Sequence, residues 1–405
     1  MNIKAWKFLL TTAVCAFSLT GCGMEPIAPD PTDFTTTASA TSLQTTAATA
    51  AQTTAALPVT SDTTSSTFST TMTTQTTLST TVSTVPTTAS TAATTKTTKQ
   101  YDTGEGVTRT EKGIMIVNSG TDHPRALEIY QGNYALGNRF ANAVNKWKKA
   151  MGSSVKVWCM VPPTSFSFYK PADYPDTGGS QLENFENIRD HLEDVTAVPI
   201  WYTLNAHKDE HIYSLTDYHW QPLGAYYAAG QFASLADVPF AQLDTYTSVT
   251  REGYVGAFHW VNKVQEIRET GETFTYFKPD NLDQVTATYF NTSYKNGKTG
   301  TLIKEDFGIN SSYQMFGGAD NLILQVDTNV NNGRTLVIFK DSFGNALVPF
   351  LTHSFQKIVL CDFRFFDIDP IKMIKDVGAT DMLFCINNST LNSSKKIQQI
   401  NDLVK

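Results

Sequence analysis

Two short stretches hold the residue types of acyl-transfer chemistry: Thr216-Asp217-Tyr218-His219-Trp220 and, far downstream, Lys340-Asp341-Ser342-Phe343-Gly344. An aspartate two residues ahead of a histidine can bind one imidazole nitrogen and leave the other facing outward, which fixes the tautomer of a general base. Serine is the nucleophile such a base serves, so His219 would take the Ser342 proton while Asp217 orients the ring. Each stretch also has a plainer reading. Asp341-Ser342 is an ordinary helix cap, and an isolated Asp-x-His is more often a surface turn.

The flanking patterns place both stretches where reactive groups are usually exposed. Leu336-Val337-Ile338-Phe339 reads as a strand and the stretch from about Phe343 as a helix, so Ser342 belongs at the carboxyl end of a parallel strand. A helix start there offers unpaired N–H groups, the amide of Ser342 itself among them, to developing negative charge. Asn345 and Gly256 are nominated as further donors, although helix-start packing and a turn explain them equally well. Arg364, at the end of the next strand, suits either an anionic sugar on the same face or a surface salt bridge. His219 falls just ahead of a helix that starts near Pro222, a residue favoured in the first turn, and runs toward Leu235.

Around these, apolar spacing predicts a helix over Asn133–Met151, a strand over Val155–Val161, a helix over Gln181–Asp194 and a strand over Val198–Leu204. Between Asp237 and Asn332 come short β-type runs at Thr273–Phe277, Val285–Phe290, Thr301–Lys304 and Leu322–Val326, expected to form an antiparallel insertion or sheet edge. After Gly333, strands at Thr335–Phe339, Lys357–Phe363 and Met382–Ile386 alternate with helices from about Phe343, over Pro370–Lys375 and from about Ser394. Near-continuous apolar strands alternating with helices argue for a mostly parallel sheet covered on both faces, an α/β fold with a β-rich insertion.

Other motifs compete less well. His207-Lys208-Asp209-Glu210-His211 matches an inverted zinc-protease pattern, but the strand-like Ile212-Tyr213-Ser214-Leu215 that follows is the wrong flank, and no third ligand is evident. His259-Trp260 has Ala257 where an acid would stand and reads as a packed aromatic pair. Without a Gly-x-Ser-x-Gly around Ser342 there is no nucleophile elbow of the α/β-hydrolase kind. No metal or nucleotide cofactor is required by what remains.

The first hundred or so residues of the 405 do not read as fold-forming. Lys4 and Lys7 precede an apolar run from Phe8 to Leu19, too short to span a bilayer, and then comes Leu19-Thr20-Gly21-Cys22. Residues 1–21 therefore read as a lipoprotein signal peptide, with Cys22 acylated to hold the chain at the outer side of the cell membrane. Residues 22–105 read as a disordered linker: from Phe34 to Gln100 the chain is almost wholly Thr, Ala and Ser, with only Asp62, Lys96 and Lys99 charged. The net charge is −7 and no basic cluster occurs, so nucleic acid is not the partner this chain points to. Cys159, Cys361 and Cys385 sit in apolar runs and are expected to be buried rather than paired.

The longer segment Thr216-Asp217-Tyr218-His219-Trp220-Gln221-Pro222-Leu223-Gly224-Ala225, with Lys340-Asp341-Ser342-Phe343, Val348-Pro349-Phe350-Leu351 and Asp362-Phe363-Arg364-Phe365-Phe366, resembles the DHHW-motif proteins of Gram-positive bacteria. More distantly it resembles the SGNH-hydrolase-like domain of alginate O-acetyltransferases, over nearly all of residues 111–405. That resemblance implies a permuted SGNH-like domain with Ser342, His219 and Asp217 as triad. Tyr218 stands where the family has its first histidine, pointing away from the triad or packing the acyl group. Implied also are O-acetyl transfer or ester hydrolysis on a cell-surface or secreted polysaccharide or wall glycan, and a membrane protein that delivers the acyl group. The rival reading is a non-catalytic surface module that binds glycan, for which the aromatic run Ser165-Phe166-Ser167-Phe168-Tyr169 would supply stacking under either view.

Overall fold

In the computed structural model, residues 107–111, 113–174 and 179–405 are described; the expected leader, Cys22 and the Thr-rich tract fall outside them. The described chain enters through an antiparallel meander, β1 (Val107–Glu111), β2 (Ile114–Ser119) and β3 (Arg125–Glu128). The sequence pattern did not single it out. Helix α1 (Tyr134–Met151) follows, capped by Asn133, whose side chain accepts from the Leu136 amide, and it buries the expected stripe of Phe140, Val144, Trp147 and Met151.

Next come β4 (Lys156–Met160), the short α2 (Phe166–Tyr169) and α3 (Gln181–Asp190), whose start is a reciprocal capping box between Ser180 and Glu183. β5 is only Thr196–Val198, and the strand expected over Val198–Leu204 is instead mostly helix α4 (Ile200–Ala206). Pro199 ends the strand and begins the helix, which buries Ile200 and Leu204 one turn apart, so the apolar run had the composition of a strand but the spacing of a helix. Helix α5 (Pro222–Ala236) starts at the expected proline.

The middle of the chain supplies β6 (Thr247–Tyr254), α6 (Ala257–Trp260) and β7 (Glu272–Lys278), then β8 (Thr286–Phe290), β9 (Lys298–Gly300) and β10 (Ile323–Asp327). β6 and β7 form their own two-stranded sheet. Thr301–Lys304, expected as a strand, makes only an isolated bridge through Ile303 to Phe316. The last third alternates β11 (Thr335–Lys340), a 3-10 run over Ser342–Leu351, β12 (Lys357–Asp362), α7 (Pro370–Asp376), β13 (Asp381–Cys385) and α8 (Ser394–Asp402). Pro349 inside the 3-10 run cannot donate a helical hydrogen bond.

The main sheet runs β5-β4-β13-β11-β12-β10-β8-β9. Its first five strands are parallel, and β10, β8 and β9 continue it antiparallel as an edge. Alternate residues serve two cores. Val157, Val337, Phe339, Val359 and Phe384 pack under α1, α3, α7 and α8, while Trp158, Leu336, Ile338, Leu360 and Leu383 meet α4, α5 and the 3-10 run. This is the expected α/β sheet flanked by helices, of SGNH-like type. Burying both faces is also why its central strands read as unbroken apolar runs. Cys159, Cys361 and Cys385 are buried and free, as their settings suggested.

Candidate active site

β11 delivers the serine. Its last residue is Lys340, and Asp341 then caps the 3-10 run by accepting from the Phe343 amide at 3.1 Å. The other carboxyl oxygen of Asp341 accepts from the Asn387 amide beyond β13 at 2.8 Å, and the Asp341 amide donates to the Cys385 carbonyl. Burial pushes the Asp341 carboxyl above its ordinary value. Ser342, half-buried, thus stands at the carboxyl end of a central parallel strand, where open α/β sheets bind ligands.

The histidine arrives on a loop folded back on itself by a bridge between Tyr213 and Trp220. Glu272, the first residue of β7 and 2 % exposed, organises that loop. It accepts from the Leu215 and Thr216 amides at 2.8 Å each, from the hydroxyls of Ser214 and Thr216, and from Gln221 Nε2, and it pairs with His211 at 3.1 Å. Burial raises this carboxyl, but its contacts with His211, Ser214 and Thr216 outweigh burial and hold it below the ordinary value.

Asp217 follows directly. One carboxyl oxygen meets His219 Nδ1 at 2.7 Å and the His219 amide at 3.0 Å, while the other accepts from Tyr254 Oη and the Ala257 amide at 2.8 Å each. Burial would raise it; the His219 imidazole and the two amides overcome that and hold it at about 2. The carboxylate therefore stays ionised, and with Nδ1–H donating to it, Nε2 is left to accept from Ser342 Oγ–H at 2.7 Å. A continuous Asp217–His219–Ser342 chain results.

Aromatic rings wall the imidazole. Tyr313 stacks on it with centroids 3.9 Å apart and planes 12° from parallel, Phe343 lies at 5.1 Å, and Tyr218 at 4.4 Å. Tyr218, expected to point away from the triad or to pack the acyl group, does not point away: its ring leans on His219 and meets the edge of Phe258. Asn345 follows Ser342 by three residues along the 3-10 run, a spacing that eclipses side chains, and its Nδ2 donates to Asp320 Oδ1 at 3.2 Å. Gly256 does not present a free donor: its amide donates to Thr216 Oγ1 at 2.9 Å. It is glycine for another reason, since a Cβ there would lie 2.4 Å from Asp217 Cβ.

Arg364 binds Asp362 at 2.6 Å and Asp320 at 2.9 Å, so the plainer salt-bridge reading describes where it sits. The aromatic run expected to stack on sugars is core, with Phe166, Phe168 and Tyr169 all buried. His207 stacks on Tyr227 and binds Glu210, whereas His211 turns to Glu272. They lie past the end of α4 and not on one helical face, which removes the geometry the zinc motif needs.

Four residues of the site were missed in the sequence: Tyr254, Glu272, Tyr313 and Asp320. None has a local signature: Tyr254, at the end of β6, and Glu272, at the start of β7, reach Asp217 and its loop, Tyr313 stacks on His219, and Asp320 meets Asn345 rather than the triad.

Residues 123–361 match the family described as DHHW protein. No curated protein matches the chain. Among solved structures, a DHHW family protein from Eubacterium siraeum is 36% identical, with a TM-score of 0.68, covering 73% of this chain and 98% of that one. Bacillus cereus PatB1 is 21% identical with a TM-score of 0.56, over 72% of this chain and 98% of its own. PatB1 is also solved with a sulfonyl adduct, at 19% identity and a TM-score of 0.55 over the same shares.

Proposed function

This chain belongs to the DHHW protein family, and we propose that its folded part is a serine-dependent O-acyltransferase or esterase acting on acetylated cell-surface or secreted polysaccharide. The observation that carries this reading is the unbroken Asp217–His219–Ser342 chain, closed at 2.7 Å on both sides of the imidazole. His219 Nε2 takes the Ser342 proton as Oγ attacks the acyl carbonyl; the imidazolium that forms lies against an ionised Asp217, and then returns its proton to the leaving alcohol. A sugar hydroxyl or water next attacks the acyl-serine by the same proton path in reverse. The Ser342 amide, one residue ahead of the Phe343 amide that Asp341 already takes, is the proposed donor to the oxyanion.

The site is proposed to work outside the cytoplasm, tethered through a lipid on Cys22 by the Thr-rich tract, with a membrane protein as acyl donor. Serine-directed labelling tests the chemistry. PatB1 has been solved with a sulfonyl adduct, so an aryl sulfonyl fluoride and a fluorophosphonate are apt probes. Wild type should label stoichiometrically, and Ser342→Ala and His219→Ala should not, with circular dichroism unchanged. A surface module that only binds glycan would ignore both probes, and equal labelling of all three proteins rejects the triad.

A further inference from the structure

Beside the nucleophile, Lys340 Nζ donates to Asp320 at 2.9 Å and Asp362 at 2.8 Å, and Arg364 binds the same two carboxylates. Two cations meet two anions, which leaves no net positive charge in that cluster for an anionic sugar. Glu128 is not matched in this way. It ends β3, two residues after Ala126, whose amide donates to the Leu215 carbonyl at 2.9 Å on the approach to Asp217. One of its carboxyl oxygens accepts from Ser389 Oγ at 2.5 Å; the Ser389 amide donates to Asn387 Oδ1 and the Asn387 amide to Asp341 Oδ2, each at 2.8 Å. Glu128 is thereby tied to the histidine-bearing loop on one side and to the residue before Ser342 on the other. It is half-buried, and its second oxygen has no bonded partner among the described residues. Burial raises the carboxyl, while Ser389, Lys396 and His219 act on it in the opposite sense.

We infer that Glu128 receives the acyl acceptor and that the acceptor is a sugar unit without a carboxylate. The inference rests on the acyl-transfer reading above. The free oxygen of Glu128 accepts a hydrogen bond from one ring hydroxyl while a neighbouring hydroxyl attacks. In that step the acceptor oxygen bonds to the acyl carbon and its proton passes to His219 Nε2. The acyl carbon–Oγ bond then breaks and the proton moves on to Ser342 Oγ. Glu128 holds the ring and is unchanged. A carboxylate on the acceptor would meet Glu128 as a like charge, a repulsion that selects against uronates.

The full chain, acylated with p-nitrophenyl acetate, is given oligogalacturonate and its methyl ester in competition; the two share every hydroxyl and differ in charge. Wild type should acetylate the ester about tenfold faster, the size of one screened like-charge repulsion. Glu128→Gln should bring the ratio near one, and Glu128→Lys should invert it. Ser389→Ala, which spares the carboxyl group, should keep the preference for the ester. Equal acetylation by wild type, or one ratio shared by wild type and both Glu128 variants, overturns the inference while leaving the triad standing. A wild-type protein that releases no nitrophenol overturns the acyl-transfer reading and this inference together.

Discussion

Tyr313 lies flat on the imidazole of His219, with ring centroids 3.9 Å apart and planes 12° from parallel. Its hydroxyl donates toward the carbonyl oxygens of Ser342 at 3.2 Å and Phe343 at 3.3 Å, and accepts from Trp220 Nε1 at 3.1 Å. One side chain thus spans the base and the nucleophile, which come from elements far apart in the chain. Burial pushes its phenol well above the usual value, so it stays a neutral donor at any pH the protein meets.

Tyr313→Phe keeps the stack but removes the bridge and strands the Trp220 indole. Hydrolysis of p-nitrophenyl acetate should fall about tenfold in kcat, with stability lower by about 1–3 kcal/mol in urea titration. Tyr313→Ala also removes the ring, and should cost about 3–5 kcal/mol through the cavity it opens.

Gly256→Ala tests the support of Asp217 from behind. The new methyl would lie 2.4 Å from Asp217 Cβ, so the aspartate must shift or the loop must open. Activity should drop about 100-fold, because small displacements of catalytic groups are expensive, at a stability cost of about 1–3 kcal/mol. A fully active Gly256→Ala protein would show that the Asp217 position is not critical.

Glu272→Ala leaves the amides of Leu215 and Thr216 and the hydroxyls of Ser214 and Thr216 without their shared acceptor. Losing several buried bonds to one charge should destabilise the protein by about 3–5 kcal/mol. Hydrogen exchange should accelerate first at residues 214–217, before β7 opens, if the carboxylate organises this loop rather than the whole sheet.

Asp217 makes stability depend on pH in a defined direction. Its folded-state value of about 2 lies below the ordinary 3.8, so the unfolded chain binds the proton more readily. The contribution is therefore fully present above about pH 4 and is lost as pH falls toward 2, with a total of about 2 kcal/mol. The stability advantage of wild type over Asp217→Asn in urea should shrink by that amount between pH 5 and 2, both values being set by the linkage window. A gap that stays constant over this range would mean that Asp217 is not held ionised. For activity, Asp217→Asn should cost up to about 10⁴-fold, since it favours the wrong tautomer of His219.

Much of this was written in local sequence. The spacing of Asp217 and His219, the strand-then-serine pattern at Leu336–Ser342, the proline start of α5 and the alternation after Gly333 all encode backbone periods and caps. These depend on near neighbours only, and each recurs in the structure. The same local reasoning reads Val198–Leu204 as a strand, where α4 forms, because an apolar run names burial before it names a period.

What lay outside the sequence was everything decided by crossing distances. That Nε2 of His219 meets Oγ of Ser342 depends on β11 ending where the Glu272-bound loop folds over it. Tyr313, Tyr254 and Asp320 join the site from separate segments whose positions are set by packing and long-range hydrogen bonds, terms that no window of neighbouring residues contains. Arg364 shows the same limit: its type leaves an anionic sugar and a salt bridge equally open, and only the fold places Asp320 and Asp362 on it. Sequence alone named the reacting groups, and the tertiary structure decided which of them touch, because contact between distant segments is a property of the packed chain as a whole.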